Sequence, residues 1–149
     1  MQALNLPPAD LSLTQRDHHD YVFDILRRRY IRLTPEEWVR QHFVHFLIHC
    51  KGYPQGMLAN EVSLSLNQTS KRCDTVLYAL DAQPRMIIEY KAPHIELTQR
   101  VFDQISRYNI VLHVPYLIVS NGLRHYCCQV DYAQNSYRFL QEIPRYEEL

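Results

Sequence analysis

The sequence predicts an α/β fold, a mixed central sheet flanked by helices, and three observations carry that expectation. Thr34 to about Cys50 has a helix start followed by a helical apolar stripe. Met57 to Lys91 alternates in the manner of strands, broken only by short polar turns. A second helical segment, Thr98 to about His113, leads into the apolar run Pro115 to Ser120. Strands alternating with helices, one of them apolar throughout, describe a sheet covered on both faces.

The 149 residues suit one domain with its own core. Residues 1 to about 19 are polar and contain Pro7-Pro8, which reads as a flexible N-terminal arm, leaving 20–149 as a single domain. Tyr21 to Ile31 reads as a strand or an extended lead-in. Thr34 is a good N-cap, Pro35 suits the first helical position and Glu37 completes a capping box. Val39, Phe43, Phe46, Leu47 and Cys50 form the apolar face, and Lys51-Gly52-Tyr53-Pro54 stops the helix.

Val62, Leu64 and Leu66 alternate with Glu61, Ser63 and Ser65 in the next strand. Asn67 to Arg72 is a polar turn, Asp74 to Leu80 a strand, Asp81 to Pro84 a tight turn and Met86 to Lys91 a third strand. In the second helix Val101, Ile105, Tyr108 and Leu112 make the inner face. Asn121-Gly122 is a hairpin turn before strands at Arg124 to Asp131 and Tyr137 to Leu140.

Three glycines leave little room for a glycine-rich phosphate loop. Lys+Arg and Asp+Glu balance at 16 each, so nothing suggests non-specific coating of nucleic acid, while an acidic metal-holding site stays compatible. Cys50, Cys73, Cys127 and Cys128 form no CxxC pair, and Cys127 and Cys128 point to opposite sides of a strand; reduced thiols are expected. Met1 to Leu13 lacks a basic start followed by an apolar run, and no segment approaches a membrane span, so a cytoplasmic protein without membrane contact is expected.

The chemistry sits between Arg72 and Pro93. With the turn centred between Ala82 and Gln83, antiparallel pairing sets Asp74 opposite Lys91 and Val76 opposite Glu89. Asp74, Glu89 and Lys91 then share one face at one end of the hairpin, an arrangement that a slip of one residue would destroy. Two carboxylates suit Mg²⁺, with Mn²⁺ as a substitute, beside a phosphate. The cation would polarise the phosphoryl oxygen and acidify a bound water. Lys91 would position or deprotonate that water, and the Tyr90 carbonyl between the two side chains is a further ligand candidate. A Glu-x-Lys on a strand is more often a solvated ion pair. Here it ends the run Met86-Ile87-Ile88, which reads as buried on both faces.

These residues resemble the PD-(D/E)xK nuclease superfamily and, more closely, the N-terminal nuclease domain of type I restriction enzyme R subunits. The resemblance runs from Pro35 to about Gly122. It covers Pro35-Glu36-Glu37-Trp38-Val39-Arg40-Gln41, the strand with Glu61, Lys71-Arg72-Cys73-Asp74, Ile88-Glu89-Tyr90-Lys91-Ala92-Pro93 and Gln104-Ile105-Ser106-Arg107-Tyr108. It implies a restriction-endonuclease-like core and a metal-dependent endodeoxyribonuclease in a restriction or DNA-processing role, with double-stranded DNA as substrate. Cys73 stands where a proline often precedes the aspartate.

Gln104 and Tyr108 match the Q-x-x-x-Y element of RecB-type and type I nucleases, which implies a place at the active site; packing of Tyr108 and capping by Gln104 explain them equally well alone. In this superfamily a first-helix glutamate can join the metal, which points to Glu37, although its cap role already accounts for it; Glu36 and Glu61 are further candidates. The stripe His42, His45 and His49 lacks a fourth ligand, and Arg27-Arg28-Arg29 reads as a solvated run more than a phosphate contact. No motor motif is present. A larger restriction or motor subunit is therefore an expected partner, and a homodimer is one way to cut both strands. The competing expectation is a non-catalytic nucleic-acid-binding or partner-dependent module on the same fold.

Overall fold

A computed structural model describes residues 1–149. Asp17 and His18, both at positive φ, make the two-residue turn that joins β1 (Leu13–Arg16) to β2 (His19–Asp24). β3 (Arg29–Arg32) completes a small antiparallel sheet. The expected flexible arm is corrected here, because a boundary at residue 19 would cut this hairpin. The first residues are also tied down. Trp38 Nε1 donates to the Gln2 carbonyl at 2.8 Å, and the Asn5 N–H to the Gly122 carbonyl at 2.8 Å. Leu4 packs so tightly on Gly122 that a Cβ there would lie 2.7 Å from Leu4 Cδ2.

α1 (Pro35–Cys50) begins as the sequence reads, with Thr34 Oγ1 accepting the Glu37 N–H at 3.0 Å. β4 (Leu58–Leu66), β5 (Thr69–Tyr78) and β6 (Pro84–Tyr90) form an antiparallel meander. α2 (Gln99–Ile110) crosses over to β7 (Tyr116–Ser120), which runs parallel to β6; β8 (His125–Asp131) and β9 (Ser136–Leu140) close the sheet. The strand order is β4-β5-β6-β7-β8-β9, the mixed α/β architecture that the sequence predicts.

The two helices cover opposite faces. Val39, Phe43 and Leu47 of α1 pack with Leu77, Met86, Ile88 and Ile118. Phe102 of α2 packs with Val76, Ile87, Leu117 and Val119. The odd–even split of β6 explains its unbroken apolar run, and Cys127 and Cys128 divide between the two layers as expected. α2 ends earlier than expected, at Ile110. Its stripe is also turned: Phe102 and Asn109 are buried, whereas Val101 and Ile105 are half-buried and Tyr108 is exposed. Val101 and Ile105 pack on the edge of the α2-side core, which also holds Leu112, and with the exposed Tyr108 they line an open cleft.

The β5–β6 ladder pairs Thr75 with Ile88, Val76 with Ile87 and Leu77 with Met86, with an irregularity at Leu77/Tyr78. Extended by one step, it sets Asp74 opposite Glu89, not Lys91. This departs from the expected register by two residues. An even offset leaves every side chain on its expected face, so the grouping survives the error.

Candidate functional site

A cleft of about 400 Å³ opens where β5 and β6 end against α2. Asp74, Glu89, Tyr90 and Lys91 come from the sheet, Gln104, Tyr108 and Asn109 from α2, and Glu36 from the first turn of α1. The Tyr90 N–H donates to Asp74 Oδ2 at 2.9 Å and so aims that carboxylate. Tyr90's ring lies on the α1 side, where its hydroxyl donates to Thr75 Oγ1 at 2.9 Å; its backbone is what reaches the cleft. Lys91 continues the strand, its N–H donating to the Ser120 carbonyl at 2.9 Å.

Glu89 is buried and its Oε1 has no hydrogen-bond partner. Burial first, and then the neighbouring Asp74, push its carboxyl well above the usual range. Glu36 is raised too, by burial and then by Asp74, with Lys91 and Arg40 pulling the other way. Asn109 Oδ1 is also buried without a partner, while its Nδ2 donates to the Ile105 carbonyl at 2.9 Å. Unpartnered buried acceptors call for a proton, a water or a cation.

The structure thus gathers Asp74, Glu89, Tyr90, Lys91, Gln104 and Tyr108. It does not bring in Glu37. That carboxylate accepts from Arg27 Nη2 at 2.8 Å, Arg40 Nε at 2.9 Å and Gln41 Nε2 at 3.0 Å, so it neither completes the capping box nor faces the cleft. Glu36, one residue earlier and about 100° around the helix, lines the cleft instead. Glu61 is held by Arg40 and Arg72. Arg27 is no solvated charge, being paired to Asp24 and Glu37. Tyr108 carries the Lys71 ammonium 4.4 Å from its ring centroid. His42 Nδ1 bonds the Trp38 carbonyl at 2.8 Å.

Asn109 is the cleft residue that sequence reasoning missed. Its one signal is a polar side chain seven residues after Phe102 on the buried stripe of α2.

No three His, Cys, Asp or Glu side chains converge closely enough to hold a metal by themselves. Mg²⁺ does not need such a cage, since it keeps several waters and takes one or two carboxylates. Asp74 and Glu89, with the Tyr90 carbonyl, are an all-oxygen set of that kind, and the unpartnered Glu89 Oε1 fits a cation-binding role.

Fold and cleft together define an α/β domain with an acidic site at the strand ends, under a crossover helix. Residues 35–144 match the family described as type I restriction enzyme R protein N terminus, and the chain belongs to that family. A solved structure described as a fragment of an HsdR subunit of a type I restriction enzyme from Vibrio vulnificus YJ016 is similar, with TM-score 0.54 and 19% identity. At that identity the likeness is one of fold; the match covers 78% of this chain and 24% of that one, so the chain spans about a quarter of the solved chain's length. No curated protein matches the chain significantly. No helix is long and apolar enough to cross a membrane.

Proposed function

We propose that this domain is a Mg²⁺-dependent endodeoxyribonuclease with a restriction-endonuclease-like PD-(D/E)xK core, hydrolysing phosphodiester bonds of double-stranded DNA. The observation that carries the reading is Glu89: a buried, unpartnered carboxylate opposite Asp74, with Lys91 on the same cleft wall. Asp74 and Glu89 would hold the cation, with the Tyr90 carbonyl as a third oxygen. When bound, the cation supplies positive charge against the phosphoryl oxygen and lowers the pKa of a water.

The chain's own groups do the rest. Lys91 orients or deprotonates the attacking water and offsets charge on the phosphate. The Tyr90 N–H keeps Asp74 from rotating away. Gln104 and Tyr108 form the α2 wall, along which the DNA backbone would lie, and the half-buried Lys71 over the exposed Tyr108 ring adds a cation at the rim. Membership in the R-subunit family supports a restriction role in the cytoplasm, with a larger motor-bearing polypeptide as partner. A homodimer would let two such clefts cut both strands.

A second reading, a DNA-binding or partner-dependent module without its own catalysis, draws on the lack of three converging acids or imidazoles. Incubation with plasmid and linear DNA under Mg²⁺ or Mn²⁺, with EDTA and Lys91→Ala as controls, separates the two. Metal-dependent cutting lost in the variant supports the nuclease. DNA binding without cutting supports the module.

A further inference from the structure

We infer that Arg40 is a positioning residue for the cleft, holding the main chain of Asp74 from the α1 side of the sheet. The functional consequence rests on the reading of Asp74 as a cation ligand; the positioning itself does not.

Between the pairs Asn60–Thr75 and Val62–Cys73 of the β4–β5 ladder, the step joining Glu61 to Asp74 is missing. Glu61 there has φ +56°, and it is the one non-glycine residue inside a helix or strand with positive φ; the others lie in turns. Left-handed backbone in a strand interior is strained and persists only where the surroundings enforce it. The side of the sheet also changes at this step. Thr75 bonds Asn60 and Tyr90 on the α1 face, whereas Cys73 packs with the α2-side core.

Arg40 enters at this gap. Its Nη1 donates to the Asp74 carbonyl at 2.9 Å and lies 2.8 Å from Glu61 Oε1. Nε and Nη2 reach Glu37 at 2.9 and 3.1 Å, and the guanidinium sits 5.8 Å from the Tyr90 ring centroid. The side chain is buried, so the fork is fixed by its partners rather than by chance exposure. One residue therefore grips both segments whose mutual bond, Tyr90 N–H to Asp74 Oδ2, aims the carboxylate. Glu37 becomes the anchor of that fork, which gives it a role without metal contact. A lysine keeps the charge opposite Glu37 but has no planar fork to span three partners at once.

The test is Arg40→Lys in the full chain, read by amide hydrogen exchange and by calorimetric Mn²⁺ titration. Protection of the Tyr90 amide should fall about ten-fold further than that of Ile118 in the central strand, and Mn²⁺ affinity should drop about ten- to a hundred-fold, the usual range for a residue supporting a ligand. If Arg40→Lys does not fold, the double variant Arg40→Met/Glu37→Met removes both charges together and gives the same two readouts. Equal loss of protection at Tyr90 and Ile118 would overturn the inference. A wild-type protein that neither binds Mn²⁺ nor cuts DNA would instead defeat the nuclease reading, while the exchange data would still decide what Arg40 does.

Discussion

Two sets of three carboxylates lie close together in this molecule and are treated in opposite ways. Asp24, Glu37 and Glu61 are each answered by arginine: Arg27 pairs with Asp24 and Glu37, Arg40 with Glu37 and Glu61, and Arg72 with Glu61. Burial alone would raise the Asp24 carboxyl, but hydrogen bonds from Arg27 and Asn60 outweigh it and hold it below its ordinary value. Glu36, Asp74 and Glu89 have no arginine partner; burial and mutual repulsion raise Glu36 and Glu89. Glu36 and Glu37 are sequence neighbours, yet they fall into different sets. The first set is neutralised by the fold's own arginines, and the second, which is not, is the basis of the proposed cation site.

The largest effect should come from the cleft. Glu89→Gln and Lys91→Ala should each lower metal-dependent DNA cleavage by at least about a hundred-fold, as expected for loss of a ligand or an acid–base group, with thermal unfolding no lower than wild type. Substantial cleavage by either variant would break the comparison.

Next comes the arginine-paired set. Glu37→Gln takes from Arg27 and Arg40 one of the two carboxylates each holds, so it should destabilise in urea unfolding by less than the roughly 3–5 kcal/mol of a fully stranded buried charge. The folded fraction should still bind Mn²⁺, but more weakly than wild type, because the Arg40 fork loses its anchor. A change near zero would show that these pairs are not structural.

The third effect is in pH. Glu89 in the metal-free fold binds its proton more tightly than in the unfolded chain. Between the ordinary glutamate pKa and the raised one, the native state therefore holds more protons, and stability should fall as pH rises through that window. Melting curves without metal should show this decline, and Glu89→Gln should flatten it. Added Mn²⁺ should oppose the decline, because the cation favours the ionised carboxylate.

The smallest effect is at the rim. Tyr108→Ala removes an exposed ring, so stability should change by no more than about 0.5 kcal/mol. Binding of duplex DNA, read by fluorescence anisotropy in Ca²⁺, should weaken a few-fold. A large loss of stability would place Tyr108 in the core after all.

Much of this was legible from local chemistry. Thr34 and Pro35 announce α1, and alternation announces the meander. Parity keeps Asp74, Glu89 and Lys91 together although the pairing differs by two residues, because the turn centres on Asp81 rather than between Ala82 and Gln83 and the Leu77/Tyr78 irregularity restores one step. Of the small sheet, Tyr21 to Ile31 reads as a strand or an extended lead-in and holds most of β2 and β3, whereas β1 is short and polar and falls within the expected arm. The turn of α2 was misread because Tyr108 is apolar enough to count as core, while Asn109 is polar and yet buried. The choice of Glu36 over Glu37 depends on where Arg27 and Arg40 end up, which no local pattern encodes.

The central claim is that the unpartnered carboxylates of the cleft hold a divalent cation. Calorimetric titration of Mn²⁺ into the wild-type chain and into Glu89→Gln tests it most directly. The account predicts saturable binding by the wild type and its loss in the variant. Equal binding by both would contradict it.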